Sequence, residues 1–92
     1  MPHPIERLLD IMDALRDEQT GCPWDRAQTM RSIVPYTIEE VYEVAECIER
    51  GDAHELPKEL GDLLFQVVFY SRIAAEEGQF TFIDVVLSLI HI

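Results

Sequence analysis

At 92 residues, with 18 acids against 7 Lys and Arg, the chain carries a formal net charge of −11. The length suits one small domain and not two, and an apolar share of 48% is enough for a packed core, which excludes intrinsic disorder. The charge excludes nucleic acid as a partner, because that affinity comes largely from Lys and Arg neutralising phosphates, and it gives no help at anionic membrane surfaces.

Helical periodicity dominates from the start. Ile5, Leu8, Leu9, Met12 and Leu15 recur at helical spacing, with Pro4 suited to the first turn. Gly21-Cys22-Pro23-Trp24-Asp25 ends that pattern and is predicted to be a loop, followed by a short helical turn around Thr29 to Ile33. Pro35 is predicted to open a helix that runs to Arg50 and stops at Gly51, with Ile38, Val41, Tyr42, Ala45 and Ile48 as its apolar stripe. Asp52 is the expected N-cap of the next helix. Pro57 lacks a backbone donor, so the regular helix is placed from about Leu56, after an irregular turn. From Leu60 to Ala75 the chain is apolar almost all round, with Leu63, Leu64, Phe65, Val67, Val68, Phe69 and Ile73. Such a helix is expected to be buried on all sides, and a chain this short can hardly surround it, so a second copy is expected to cover one face. Gly78 ends this helix, and a last one runs from about Phe82 to Ile90. The fold class is therefore all-α: a bundle of four to five helices in a single domain over residues 1–92, completed by dimerisation into a homodimer or higher homo-oligomer.

The N-terminal MPHPIERLLD places acids where a signal peptide needs a basic start and an apolar stretch. No apolar run reaches membrane-spanning length, since LLFQVVFY is broken by Gln66 and FTFIDVVLSLIHI carries Asp84. Cys22 and Cys47 form no C-x-x-C pair, so neither a disulfide framework nor a zinc ribbon is expected. A soluble, cytoplasmic protein with reduced thiols and no membrane partner is the expectation.

The informative residues are acids. Glu39, Glu40 and Glu43 form E-E-x-x-E on one predicted helix, and Glu59 and Asp62 form E-x-x-D on the next. Residues three apart project from neighbouring points of one helix face. The link around Gly51 and Asp52 is short, which favours antiparallel packing and brings the two pairs level. Converged carboxylates take up protons or hold a cation, and oxygen-only ligands suit Mg²⁺ or Mn²⁺. A di-iron bundle would want Glu-x-x-His motifs, and none of His3, His54 and His91 has a Glu three positions before it. The alternative is a solvated face, because Glu39, Glu43 and Glu46 lie nearly opposite the apolar stripe of their helix. Acids ahead of an apolar helix also complement its dipole.

G-C-P-W-D at 21–25, Gln28-Thr29, E-E-V-Y-E at 39–43, E-L-G-D-L-L at 59–64 and A-E-E-G at 75–78 together resemble the MazG nucleotide pyrophosphohydrolases, specifically the amino-terminal domain of their two-domain bacterial members. The resemblance covers residues 4 to 86 or so. It implies an all-α dimer of helical bundles that hydrolyses nucleoside triphosphates to monophosphate and pyrophosphate with Mg²⁺. Matched position by position, it implies Glu40, Glu43, Glu59 and Asp62 as metal ligands and Glu39 as the carboxylate that holds or deprotonates the attacking water. Trp24 either stacks on a base or caps the bundle. Lys58 and Arg26 lie near the motifs and either touch phosphate or remain solvated. Cys47, Tyr36 and Tyr42 are expected to serve packing. The family continues into a basic, His-containing segment where this sequence reads Leu89-Ile90-His91-Ile92, so a copy shortened at its C-terminal end is expected. The alternative to an enzyme is a non-catalytic dimerisation or nucleotide-binding module of the same fold.

Overall fold

His3 accepts a hydrogen bond from the Ile5 amide through its Nδ1 and caps α1, which runs Pro4–Leu15. A computed structural model describes residues 3–91; residues 1, 2 and 92 of the expected domain lie outside it. Four further helices follow: α2 (Pro23–Ala27), α3 (Met30–Glu49), α4 (Leu56–Glu76) and α5 (Phe82–Ile90). The described residues contain no strand, as the periodicity predicts.

Two local expectations are corrected. The loop carrying Trp24 is a short helix, α2, because Pro23 sits in its first turn with φ already set for helix. The turn at 29–33 and the helix from Pro35 are one continuous helix, α3. Its start is fixed by a capping box in which Thr29 Oγ1 accepts from the Ser32 amide at 3.1 Å and Ser32 Oγ accepts from the Thr29 amide at 2.8 Å. Ser32 Oγ also lies 2.7 Å from Gln28 Oε1. This anchoring outweighs the single backbone donor lost at Pro35. A third correction is smaller. Asp52 accepts from the Glu55 amide at 3.1 Å and caps the irregular turn, while Glu55 occupies the N-cap of α4.

Glycines mark the breaks. Gly51 ends α3 with φ 67°, a left-handed conformation that a side chain rarely adopts. Gly21 is buried, and a Cβ there would collide with the carbonyl oxygens of Leu15 and Asp17. The first letter of G-C-P-W-D is thus set by close backbone approach.

α3 and α4 form an antiparallel hairpin along most of their length, with α1 and α5 packed against α4. The core is Met12, Ile33, Val68, Phe69 and Ile73, with Leu8, Leu9, Met30, Phe65, Tyr70 and Phe82 packed around it. It sits toward the C-terminal half of α4. The other half of the hairpin is where expectation fails. Ile38, Val41 and Ile48 are 52%, 50% and 60% exposed, and Tyr42 is 71% exposed. The face of α3 turned inward is instead Ile33, Thr37, Glu40, Val44 and Cys47, which also follows helical spacing. On α4, Leu60, Leu64 and Val67 remain exposed, so this helix is buried on one side only within a single chain. The radius of gyration, 14.4 Å, exceeds the ~12 Å of a compact domain of this length. No helix among the described residues is long and apolar enough to cross a membrane.

Candidate metal centre

The inward turn of α3 carries Glu40 and Glu43 against α4, where they meet Glu59. One carboxylate oxygen from each of these three residues lies within 4.8 Å of the others. Glu40 Oε2 and Glu59 Oε2 are buried and have no hydrogen-bond partner. Burial, reinforced by Glu43, Asp62, Glu59 and Glu39, raises the Glu40 pKa above the usual carboxylate range. Burial, followed by the close approach of the Glu43 carboxyl, raises that of Glu59. A solvated acidic face would show neither orphaned oxygens nor raised pKa values. The donors are all hard oxygens, so the residues fit Mg²⁺ or Mn²⁺ rather than zinc or iron.

Asp62 stands at the edge of this group. Its carboxylate pairs with Lys58 at 3.4 Å, and Lys58 lies 3.8 Å from Glu59. Those acids raise the Lys58 pKa and hold it protonated. Glu39 is exposed and lines, with Glu40, a cavity of about 300 Å³ that also includes Trp24, Tyr36, Phe65 and Gln66. Glu40 therefore belongs both to the central cluster and to the cavity that Glu39 and Trp24 line. Arg26 is not among them: it lines a separate cavity with Arg16, Glu18 and Glu76.

The sequence model of the MazG nucleotide pyrophosphohydrolase domain matches residues 28–91. The chain belongs to this family. It is similar to the nucleoside triphosphate pyrophosphohydrolase of Escherichia coli, at 59% identity over 88% of this chain and 31% of that protein. The nucleoside triphosphate pyrophosphohydrolase/pyrophosphatase MazG of Thermotoga maritima is 49% identical over 92% of this chain and 33% of its own length. The nucleoside triphosphate pyrophosphohydrolase of Mycolicibacterium smegmatis is 41% identical over 98% of this chain and 28% of its own length. The chain thus spans about a third of the length of these relatives.

Trp24 precedes the stretch matched to the MazG domain. It is half-exposed and stands edge-on to Tyr36, with ring centroids 5.7 Å apart, so it is not buried in the core. Tyr36 and Tyr42 are likewise exposed at 45% and 71% rather than packed. Cys47 is buried as expected, its Sγ donating to the Asp52 carbonyl at 3.2 Å, and burial pushes its thiol pKa up. Sequence reading missed Arg16, which lies ahead of the stretch matched to the MazG domain. Its buried guanidinium binds Glu76 at 3.0 and 2.6 Å and donates to the Asp25 and Gln28 carbonyls at 2.7 and 2.9 Å. It lies 5.6 Å from the centre of the Phe69 ring. One side chain thereby fastens the Trp24 segment to the end of α4. The signal available was Glu76 in A-E-E-G, an acid needing a partner at the end of an apolar helix.

Proposed function

We propose that this chain hydrolyses nucleoside triphosphates to the monophosphate and pyrophosphate, with Mg²⁺ or Mn²⁺ held by Glu40, Glu43, Glu59 and Asp62. The observation that carries the reading is the pair of buried, unpartnered oxygens, Glu40 Oε2 and Glu59 Oε2, inside an oxygen-only cluster beside a cavity. Buried polar atoms without partners are uncommon, and a hard cation satisfies both. The printed names of the relatives support the same chemistry.

A cation there would neutralise phosphate charge and polarise the P–O bonds. The chain's own residues do the rest. Glu39, exposed at the cavity rim, holds a water and accepts its proton as the water attacks phosphorus and pyrophosphate leaves. Lys58, next to Asp62 and Glu59, offers a charged donor to a phosphate oxygen. Trp24 and Tyr36 offer aromatic surface to the base. Arg26, which lines a separate cavity, is given no part in this scheme.

The working form in this reading is a homodimer or higher homo-oligomer in the cytoplasm. The exposed apolar stripes of α3 and α4 support the assembly. Two free cysteines suit a reducing compartment. The net charge of −11 supports the absence of nucleic-acid partners.

Pyrophosphate release from a panel of nucleoside triphosphates with Mg²⁺ tests the enzyme. Wild type is expected to be active, and Glu43→Ala to lose at least about 100-fold, the scale of removing a charged group that acts on the transition state. Equal inactivity of the two proteins would leave the non-catalytic module as the function.

A further inference from the structure

Gln66 lies on α4 one turn beyond Asp62 and lines the cavity shared by Trp24, Tyr36, Glu39 and Glu40. Its Oε1 lies 3.3 Å from the Thr37 hydroxyl, which donates to it. The Thr37 hydroxyl lies 2.6 Å from that of Tyr70 and also 3.3 Å from the Ile33 carbonyl. With Tyr70 donating to Thr37, the Thr37 proton is directed at Gln66 Oε1 and the Ile33 carbonyl, both acceptors. The oxygen of the carboxamide is thus engaged by the protein, and no hydrogen bond among the described residues engages its nitrogen. A carboxamide held in this way offers N–H donors to a ligand. The cavity, at about 300 Å³, lies at the lower end of the ~300–1,000 Å³ range of small-molecule sites. It joins the carboxylate cluster at Glu40, so a nucleotide with its phosphates at the acids places its base toward Trp24 and Gln66.

We infer that Gln66, positioned by Thr37 and Tyr70, reads the edge of the nucleobase by donating to an exocyclic carbonyl, and so favours oxo bases over amino bases. The inference rests on the nucleotide-hydrolase reading above. An amino group opposite the Gln66 N–H would set donor against donor and leave both unpaired, which a partly dehydrated site penalises.

Matched nucleotides isolate this contact, since UTP differs from CTP, and ITP from ATP, in an oxo against an amino group. Trp24 is the chain's one tryptophan, so its fluorescence reports binding independently of turnover. Wild type is expected to prefer UTP and ITP by about tenfold in Kd and in kcat/KM. Gln66→Glu, which only accepts when ionised, should turn each ratio toward CTP and ATP. Its added charge weakens every nucleotide and cancels within a pair. Thr37→Val frees the carboxamide to rotate and should bring both ratios toward one, a change that a merely structural role for Thr37 would not produce. Gln66→Met, which lacks the donor, takes the place of Gln66→Glu should that variant not fold, and is expected to abolish the preference. Wild type that binds no nucleotide, shows no preference, or prefers amino bases overturns the inference, as does a preference that survives in a folded Gln66 variant. Binding ratios as expected without any pyrophosphate release would instead overturn the hydrolase reading and leave the role of Gln66 standing.

Discussion

Glu40 sits where two requirements conflict. Its place on the inner face of α3 removes it from water, yet Glu39, Glu43, Glu59 and Asp62 surround it with like charge. Its raised pKa, like that of Glu59, means that the folded state binds protons more tightly than the unfolded one. Both groups therefore cost stability as pH rises from the ordinary carboxylate value of 4.5 through the raised folded values. In chelator, stability should fall across that window, and at pH ~7 Mg²⁺ should raise Tm by ligand linkage. Glu40→Gln keeps the shape without the charge. It is expected to stabilise the metal-free protein by about 1 kcal/mol, which raises Tm in chelator by about 4–8 °C in a domain this small, and to shrink the Mg²⁺ shift. Thermal melts with and without Mg²⁺ decide this, and a variant that melts like wild type in both buffers would count against the metal site. The pairing of acids at i, i+3 is legible in the sequence. Which pair members lose contact with water is not, because burial depends on which face of α3 turns toward α4.

Among the elements, α2 depends most on a single residue. Five residues long, it is too short to be stable alone, and Arg16 holds its carbonyls against the end of α4. Hydrogen bonding from Arg16 leads the causes that lower the Glu76 pKa, with Arg72 acting in the same direction. A lowered folded pKa means that this contribution is present above the unfolded value near 4.5 and is lost as pH falls through the folded one. Glu76→Gln should cost about 1–2 kcal/mol at neutral pH, a figure reduced for the partial exposure of Glu76. Urea unfolding at pH ~7 and pH ~3 should show the gap between wild type and variant closing in acid, and equal stability at neutral pH would contradict the tie. α3 teaches a different lesson. Two sets of its residues keep helical spacing: an apolar set led by Ile38 and Val41, and a mixed set led by Ile33 and Glu40. Hydrophobic periodicity selects the first as the core face, and the chain buries the second.

For the whole molecule, that reversal leaves the outer faces of α3 and α4 unusually apolar. Val41, Ile48, Leu60 and Leu64 are all exposed on a chain of net charge −11. In the proposed homodimer a second copy covers these side chains. Sedimentation at micromolar concentration should report a dimer, and Val41→Asp with Leu64→Asp should shift it to monomer while helicity is retained. A compact wild-type monomer at that concentration would undo the assembly. The acid balance acts at this scale too, since cations at Glu40, Glu43 and Glu59 would place positive charge where an acidic chain otherwise repels a triphosphate.

Sequence alone determined the helical class, the starts of α1 and α4 and the bounds of α5, because these follow from local spacing, proline placement and capping. It also singled out the acids of α3 and α4, since their spacing on a helix is a local property. Only the tertiary structure decided that Glu40, Glu43 and Glu59 converge while Asp62 turns to Lys58, and that Arg16 fastens the Trp24 segment. Those outcomes depend on how one helix rotates against another. That rotation is set by the sum of packing along the whole α3–α4 hairpin, where a long core of Ile33, Val68, Phe69 and Ile73 outweighs the exposure of Ile38 and Val41 and carries the carboxylates inward.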